Sequence, residues 1–315
     1  MRSERVFNFS AGPAVLPVPV LEKAQSELVA LPGVGMSILE ISHRSRVFED
    51  VLARADADIR LLAGVPSDYR VLFLHGGASL QFAMVPMNLL PAVATADYPV
   101  AGVWATKALE EARKIGNVHI AATTKADQFA RVPRAEEIVL TPGAAYVHMT
   151  SNNTIYGTEW KELPGVGDVP LVSDTSSDMF SRPIEVSRHA VIYAGAQKNM
   201  GPAGVAVVII REDMLARSPA SLPAMLSYAV HAANGSMYNT PPVFAIYMLG
   251  LVTRWLLEQG GLDAIAKVNE RKAASLYAEI DRTGFFRGTA QRESRSLMNV
   301  TFRLPNEDLE KQFIQ

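Results

Sequence analysis

One lysine stands between two apolar segments of the sequence, where a charged side chain needs a specific reason to be present. Residues 189–193 lead through small residues to Lys198, and a Gly-Pro-Ala-Gly turn then leads to the apolar residues 205–210. A lysine between two buried strands is costly unless it is neutralised or bonded. A covalent imine with an aldehyde cofactor such as pyridoxal phosphate meets that requirement. The alternative is a solvated lysine at the end of a hairpin.

Other polar or aromatic residues directly follow segments that resemble buried strands. Asp174 follows residues 170–173, and its carboxylate could pair with a protonated pyridine nitrogen or could cap a neighbouring turn. Trp104 could stack on a flat ring or pack in the core. Thr154 could donate to a ring hydroxyl or belong to a turn. Each residue alone therefore leaves two interpretations open.

A turn of small residues precedes a predicted helix. The sequence His-Gly-Gly-Ala-Ser occupies residues 75–79, directly after a short apolar strand. Small residues let the backbone approach a phosphate, and the free N–H groups at a helix N-terminus bind it. Ser79 could add a hydroxyl or could serve as the N-cap. The alternative is an ordinary connection between a strand and a helix.

Strand and helix patterns alternate along most of the chain. Helices are predicted at 20–31, 48–62, 79–90, 106–115, 243–258, 262–281 and 306–313, and strands at 71–74, 98–103, 118–122, 146–150, 170–173, 190–193, 205–210 and 296–304. This alternation predicts an α/β fold with a mainly parallel sheet covered on both faces. Ligands of such sheets bind at the carboxyl ends of the strands. The candidate residues would meet at this edge of the sheet: Lys198, Asp174, Trp104, Thr154 and the turn 75–79. Together they favour pyridoxal phosphate as the ligand.

Composition excludes several classes of protein. The length of 315 residues predicts one large domain with a smaller lobe, and the 49% of hydrophobic residues is typical of a globular protein. A net charge of −2 without basic clusters argues against a nucleic-acid partner. The absence of cysteine excludes disulfides and cysteine nucleophiles, and therefore disfavours a desulfurase. The longest apolar stretch is too short for a membrane span, and the first residues lack a signal-peptide core, so a cytoplasmic location is predicted.

Five segments of the sequence form a distinctive set of motifs: FNFSAGP at 7–13, SHRSR at 42–46, HGGASLQF at 75–82, YAGAQKNMGPAG at 193–204 and NGSMYNTPP at 234–242. This set closely resembles the motifs of the phosphoserine aminotransferases, within the pyridoxal-phosphate-dependent class V aminotransferases. The resemblance implies the type I fold of pyridoxal-phosphate transferases and a homodimer with shared active sites. It also implies transfer of an amino group from L-glutamate to 3-phosphohydroxypyruvate, giving O-phospho-L-serine and 2-oxoglutarate in serine biosynthesis, and a related reaction in pyridoxine biosynthesis.

The resemblance also implies roles for particular residues. Lys198 and Asp174 would be catalytic, the first bound covalently to the cofactor and the second paired with its ring nitrogen. Trp104 would stack on the ring, and Thr154 would bond its hydroxyl. The implied contacts to the cofactor phosphate are Ala78, Ser79, Gln197 and, from the other subunit, Asn239 and Thr240.

Arg44 resembles the arginine that holds the substrate carboxylate, because a planar guanidinium matches two oxygens. The alternative for Arg44 is an exposed charge, the role that we assign to Arg46. Many relatives carry an arginine at the position of Ser79, so the phosphate contacts depart from the usual pattern at this point.

The change of pattern near residue 259 predicts two domains. A large cofactor-binding domain is expected at 17–258, and a small α/β domain at 1–16 and 259–315. Relatives continue for several dozen residues beyond Gln315 and carry a His-Arg pair there for the substrate phosphate, so the small domain is expected to be incomplete. Two alternatives follow: another class V aminotransferase, such as the serine–glyoxylate type, or an inactive cofactor-binding protein.

Overall fold

A seven-stranded sheet lies at the centre of the computed structural model, which describes residues 5–314. The helices are α1 (Val18–Glu27), α2 (Arg46–Ala63), α3 (Gly77–Leu89), α4 (Val103–Arg113), α5 (Glu212–Leu215), α6 (Tyr228–Ala233), α7 (Val243–Glu258), α8 (Gly261–Thr283) and α9 (Glu307–Ile314). The strands are β1 (Tyr69–Leu74), β2 (Thr95–Val100), β3 (Asn117–Thr123), β4 (Val147–Thr150), β5 (Asn152–Asn153), β6 (Thr158–Glu159), β7 (Leu171–Asp174), β8 (Val191–Gly195), β9 (Ala206–Arg211), β10 (Arg287–Gly288) and β11 (Phe302–Arg303).

The sheet has the strand order β1-β9-β8-β7-β4-β2-β3. All neighbouring pairs are parallel except those of β9, which runs antiparallel to both β1 and β8. The prediction of a mainly parallel α/β sheet is therefore confirmed. Two short antiparallel pairs, β5–β6 and β10–β11, lie outside this sheet.

Helices cover both faces of the sheet, as its continuous apolar strands require. On one face α1, α2 and α7 pack on the sheet, with Phe48 of α2 in the same buried cluster as Ile209 of β9. On the other face α3 and α4 pack on the sheet, and Phe82 of α3 meets the ring of Tyr193 edge-on at 6.4 Å between centroids. Since both faces are buried, the strand ends are the places where this sheet can expose polar chemistry.

Local signals set the ends of helix α2. The Ser45 hydroxyl accepts a hydrogen bond from the backbone N–H of Phe48 at 3.4 Å, which caps the first turn. Gly64 follows the helix with φ 61°, the left-handed conformation that ends many helices. The prediction of a helix at 48–62 is confirmed, with slightly wider bounds.

Three predicted elements differ from the structure. The strand predicted at 98–103 ends at Val100, and α4 begins at Val103, so Trp104 lies in the first turn of a helix rather than at the end of a strand. Helix α1 ends at Glu27, before the predicted limit of residue 31. The strand predicted at 296–304 contracts to Phe302–Arg303, because the polar residues before it bond to the β5–β6 hairpin instead of to a sheet.

The chain after residue 259 contains α8, α9 and the β10–β11 pair. Phe302 of β11 packs between Phe286 and Phe313, with ring centroids 5.2 and 5.8 Å away. The domain boundary at residue 259 stays a prediction. The outermost residues of the predicted small domain, 1–4 and 315, lie outside the described part of the chain. Within residues 5–314, no helix has the length and apolar character that would let it cross a bilayer.

Candidate active site

The turn between β8 and β9 carries Lys198 at the edge of the sheet. Its Nζ atom donates a hydrogen bond to the Thr154 hydroxyl at 2.7 Å and lies 5.0 Å from the centre of the Trp104 ring. Burial lowers the pKa of Lys198 below its ordinary value, while the charges of Asp174 and Asp178 act in the opposite direction. A larger fraction of this amine is therefore neutral than in a solvated lysine, which suits it to act as a base or nucleophile.

Asp174 is the last residue of β7 and is 4% exposed. Its Oδ1 accepts hydrogen bonds from the Ser176 backbone N–H at 2.9 Å and the Ser176 hydroxyl at 2.6 Å. Its Oδ2 has no hydrogen-bond partner within residues 5–314. Burial raises the pKa of Asp174, and the bonds from Ser176 and the charge of Lys198 lower it. The carboxylate thus caps the turn after β7, as the alternative interpretation held, and keeps one oxygen for a ligand.

The predicted phosphate turn leads into the N-terminus of α3. Gly76 and Gly77 have φ of 83° and 58°, a region that residues with a side chain rarely occupy. No side chain caps this helix and its first turn holds no acidic residue. Within the described chain, the backbone N–H groups of Ala78 and Ser79 have no acceptor. These free donors at the positive end of a helix form a site for an anion.

Close packing fixes the backbone around the lysine and the tryptophan. A Cβ atom on Gly12 would lie 2.9 Å from the Lys198 Cγ, so the N-terminal segment passes directly against the lysine stem. A Cβ atom on Gly102 would collide with the Asn153 side chain, so α4 starts in close contact with the β5–β6 hairpin. The indole N–H of Trp104 is buried and has no partner within the described residues.

Other predicted site residues lie outside this set of contacts. Arg44 is exposed, with its Nε 3.4 Å from the His43 ring, and contacts neither Lys198 nor its neighbours. The carbonyl of Thr240 lies 3.1 Å from the His75 Nε2, beside the phosphate turn. The predicted role of Asn239 and Thr240 across a subunit interface stays a prediction. Gln197 accepts a hydrogen bond from Ala14 N–H at 2.8 Å through its backbone carbonyl.

Sequence reasoning missed several residues that build the site. Ser176 holds the Asp174 carboxylate; the sequence indicated a turn after Asp174, but not this bond. Asn152 and Asn153 hold the hairpin that carries Thr154. No periodicity marks them: the side-chain partners of Asn152 are distant in the sequence, and Asn153 bonds to Thr158 across the hairpin.

The arrangement fits pyridoxal phosphate on several counts. A lysine amine with a lowered pKa, an aspartate with a free oxygen and an uncapped helix start lie at the carboxyl edge of one sheet. The orphaned indole N–H of Trp104 adds an unused donor beside the lysine. Fold and site together define a pyridoxal-phosphate-dependent transferase of the α/β type. The aminotransferase class-V sequence model matches residues 6–315, and the chain belongs to that family.

Relatives of this chain share a more specific description. A phosphoserine aminotransferase of Herpetosiphon aurantiacus is 54% identical over 310 residues, with 98% of this chain and 86% of that protein covered. The structure of phosphoserine aminotransferase from Bacillus circulans subsp. alkalophilus superposes with a TM-score of 0.97 at 51% identity, covering 99% of this chain and 87% of that one. A phosphoserine aminotransferase from Trichomonas vaginalis with bound pyridoxal phosphate gives a TM-score of 0.94 at 37% identity, covering 98% and 88%.

Proposed function

We propose that this chain transfers the amino group of L-glutamate to 3-phosphohydroxypyruvate, giving O-phospho-L-serine and 2-oxoglutarate, with pyridoxal phosphate as cofactor. The observation that carries the proposal is the Lys198 amine, 2.7 Å from the Thr154 hydroxyl and 5.0 Å from the Trp104 ring. A relative 54% identical over 98% of the chain is a phosphoserine aminotransferase, which supports this choice of substrates.

Residues at the sheet edge would hold the cofactor. Lys198 would bind it covalently, and Trp104 would offer a flat surface for its ring. The first turn of α3, with Ala78 and Ser79, would bind the phosphate group through free N–H groups. Gln197 and, from a partner subunit, Asn239 and Thr240 would complete the phosphate contacts. When bound, pyridoxal phosphate supplies a carbon that takes up the amino group and a ring that accepts the electrons of the substrate Cα–H bond.

The protein's own residues then supply the proton transfers. Once released, the Lys198 amine takes the proton from the substrate Cα, because its lowered pKa leaves it neutral more often. The hydroxyl of Thr154 orients that amine. Asp174 would pair with the ring nitrogen and favour its protonated form, and Ser176 holds the Asp174 carboxylate in place.

Substrate recognition in this proposal depends on Arg44. Its guanidinium has two parallel N–H groups that match a carboxylate. The side chain is exposed and bonds only weakly to His43 within the described chain, so it is free to bind a substrate. Ser79 contributes a hydroxyl where many relatives have an arginine.

The proposed active unit is a cytoplasmic homodimer with sites shared between subunits. An exposed apolar segment near the N-terminus supports the dimer: Val6, Phe7 and Phe9 are 85, 93 and 85% exposed. Exposed hydrophobic residues in sequence are typical of a surface that a partner covers. Within each subunit we propose a large domain at 17–258 and a small domain at 1–16 and 259–315.

The decisive experiment follows the colour of the purified protein with its cofactor. We expect a visible absorption band that glutamate bleaches and that 3-phosphohydroxypyruvate restores. The amount of O-phosphoserine formed should equal the amount of cofactor whose band is restored. If glutamate bleaches the band and glyoxylate restores it, but 3-phosphohydroxypyruvate does not, the chain is another class V aminotransferase. A band that glutamate leaves unchanged would identify an inactive cofactor-binding protein.

A further inference from the structure

The hairpin that carries Thr154 is too short to hold its own position. Strands β5 and β6 contain two residues each. Its main-chain bonds run from Gly157 N–H to Asn153 O and from Trp160 N–H to Ser151 O, both at 2.9 Å. An isolated hairpin of this size is unstable in water. Side-chain contacts must therefore fix where Thr154 stands relative to the Lys198 amine.

The side-chain amide of Asn152 ties this hairpin to two other segments. Its Nδ2 donates to the Ser177 hydroxyl at 2.8 Å and to the Asn299 Oδ1 at 2.7 Å, and its Oδ1 accepts from the Ser296 hydroxyl at 2.6 Å. Ser177 in turn donates to the Asn152 carbonyl at 2.9 Å. Asn152 is 1% exposed, so water does not compete for these bonds.

Each of the two segments bears on the site in a different way. Ser177 lies in the turn that follows Asp174, next to Ser176, which holds the Asp174 carboxylate. The second segment, residues 294–301, is here called the brace. It belongs to the chain after α8, and it makes further bonds to the hairpin.

The bonds between brace and hairpin extend along the whole hairpin. The backbone N–H of Ser296 donates to Gly157 O at 2.8 Å, and that of Leu297 donates to the Glu159 Oε2 at 2.8 Å. The Thr301 hydroxyl donates to Tyr156 O at 3.0 Å. The side-chain amide of Asn152 joins the three segments, because it bonds both the brace and the turn after Asp174 while belonging to the hairpin.

We infer that Asn152 is a positioning residue for the reaction at Lys198: its amide holds Thr154 in place by binding the Asp174 turn on one side and the brace on the other. The inference rests on the proposed function. Asn152 touches neither the lysine amine nor the Asp174 carboxylate, so it acts through Thr154 and Ser177. A displacement of about 1 Å at a catalytic contact can reduce a rate about a hundredfold.

A matched control exists in Asn88, another asparagine with 1% exposure. Its Nδ2 donates to Met84 O and Leu226 O, both at 2.8 Å, and its Oδ1 accepts from the Ser218 hydroxyl and the Tyr228 N–H. It lies at the far end of α3, away from the hairpin. Asn152→Ala and Asn88→Ala therefore remove comparable buried hydrogen bonds, and only the first removes a contact to the hairpin.

The experiment uses the holoenzyme and single-turnover bleaching by glutamate. Asn152→Ala should lower the maximal bleaching rate about tenfold or more while changing the half-saturating glutamate concentration less than about threefold, and should shift the visible band. Asn88→Ala should change that rate less than about twofold. Equal rates for the two variants, with the wild-type band position in both, would overturn the inference and leave the proposed function standing.

A second variant keeps the test valid if Asn152→Ala does not fold. Ser296→Ala removes one bond of the same amide, and we expect a rate reduction of about threefold or more with the same band shift. In the double variant Asn152→Ala/Ser296→Ala, the two rate reductions should not add, because both substitutions remove the bond between the Asn152 amide and the brace. A Ser296→Ala variant with wild-type rate and band contradicts the inference, whereas a wild-type protein without a visible band removes the proposed function and the inference together.

Discussion

The amine of Lys198 lies against the Thr154 hydroxyl and the Trp104 ring, and a second lysine lies on the same ring. The Nζ of Lys107 is 4.9 Å from the centre of the Trp104 ring, but Lys107 is exposed on α4. We expect Lys198→Ala to remove the visible absorption band and to lower turnover at least about a thousandfold, since every other lysine in residues 5–314 is exposed. Lys107→Ala is the control and should keep the band. Absorbance spectra and product formation measure both, and near-normal turnover of Lys198→Ala would refute the assignment.

A buried acid beside the site predicts a pH effect on stability. Burial raises the pKa of Asp178 to about 7, although the Ser151 hydroxyl donates to it and Arg182 is near. Its unfolded form ionises near its ordinary value of 3.8, so the carboxyl contributes most stability below that pH and loses it as the pH rises through about 7. Asparagine cannot ionise. The stability of Asp178→Asn relative to wild type should therefore rise, by a few kcal/mol at most, between about pH 4 and about pH 8.

Urea unfolding at the two pH values measures this difference. Glu137→Gln is the control, because hydrogen bonds from Arg131 hold the pKa of Glu137 at about 2. The Glu137 carboxylate loses its stabilising effect only as the pH falls from its ordinary pKa of 4.5 to its folded pKa of about 2. The stability of Glu137→Gln relative to wild type should therefore not rise between about pH 4 and about pH 8. A flat difference for Asp178→Asn would show that its carboxyl is already ionised in the folded protein at low pH.

Among the elements, helix α3 has the clearest electrostatic task. Its first turn carries neither an acid nor a side-chain cap, which leaves its free N–H groups available to a phosphate. We expect Ser79→Asp to weaken the binding of pyridoxal phosphate to the apoprotein about tenfold or more, because the new charge competes for those donors. Ser79→Asn has nearly the same shape as Ser79→Asp without the charge, so it should lose only the contact of the Ser79 hydroxyl and bind the cofactor more tightly than Ser79→Asp. Absorbance titration measures both, and equal affinities would exclude an anion site at this helix.

Strand β2 and the brace show where element prediction fails. Buried strands such as β7 and β8 are continuous apolar runs, so their positions follow from composition. After β2 the apolar character continues through Val103 and Trp104, and hydropathy alone does not show that the chain turns at Gly102 to begin α4. In the brace, hydrogen bonds to the hairpin replace a sheet ladder. Apolar periodicity predicts packing, whereas polar contacts decide the irregular segments.

The molecule as a whole shows the same limit at longer range. Lys198, Asp174 and the phosphate turn could be placed together from sequence, since parallel strands bring their carboxyl ends to one edge. The bond between Asn152 and Ser296 joins residues 144 positions apart, and no local pattern announces it. Arg44 was proposed from the resemblance, and the single chain leaves it exposed. The shared location of these candidate residues was thus predictable, and the contacts that hold them were not.

The exposed N-terminal segment leads to a prediction for assembly. If it lies in a subunit interface, the double variant Phe7→Ser/Phe9→Ser should shift the protein from dimer towards monomer, weakening association by about tenfold or more. Val93→Ser is the control, because Val93 is 95% exposed in a separate loop. Sedimentation at several protein concentrations measures the equilibrium. A double variant that sediments as the wild type does would place the interface elsewhere.

The reversed direction of β9 has a mechanical consequence. Because β9 returns antiparallel beside β8, both ends of the Lys198 turn are anchored in adjacent central strands. Within the turn, Ala196 N–H donates to Val205 O at 3.0 Å, and the N–H groups of Met200 and Gly201 donate to Ala196 O at 3.0 and 2.9 Å, so these bonds restrain its main chain. In the proposed reaction, the Lys198 Nζ would therefore move between its successive positions mainly by rotation about the lysine side-chain bonds. Its reach is a fixed arc, and any substrate carbon to be deprotonated has to be delivered to that arc.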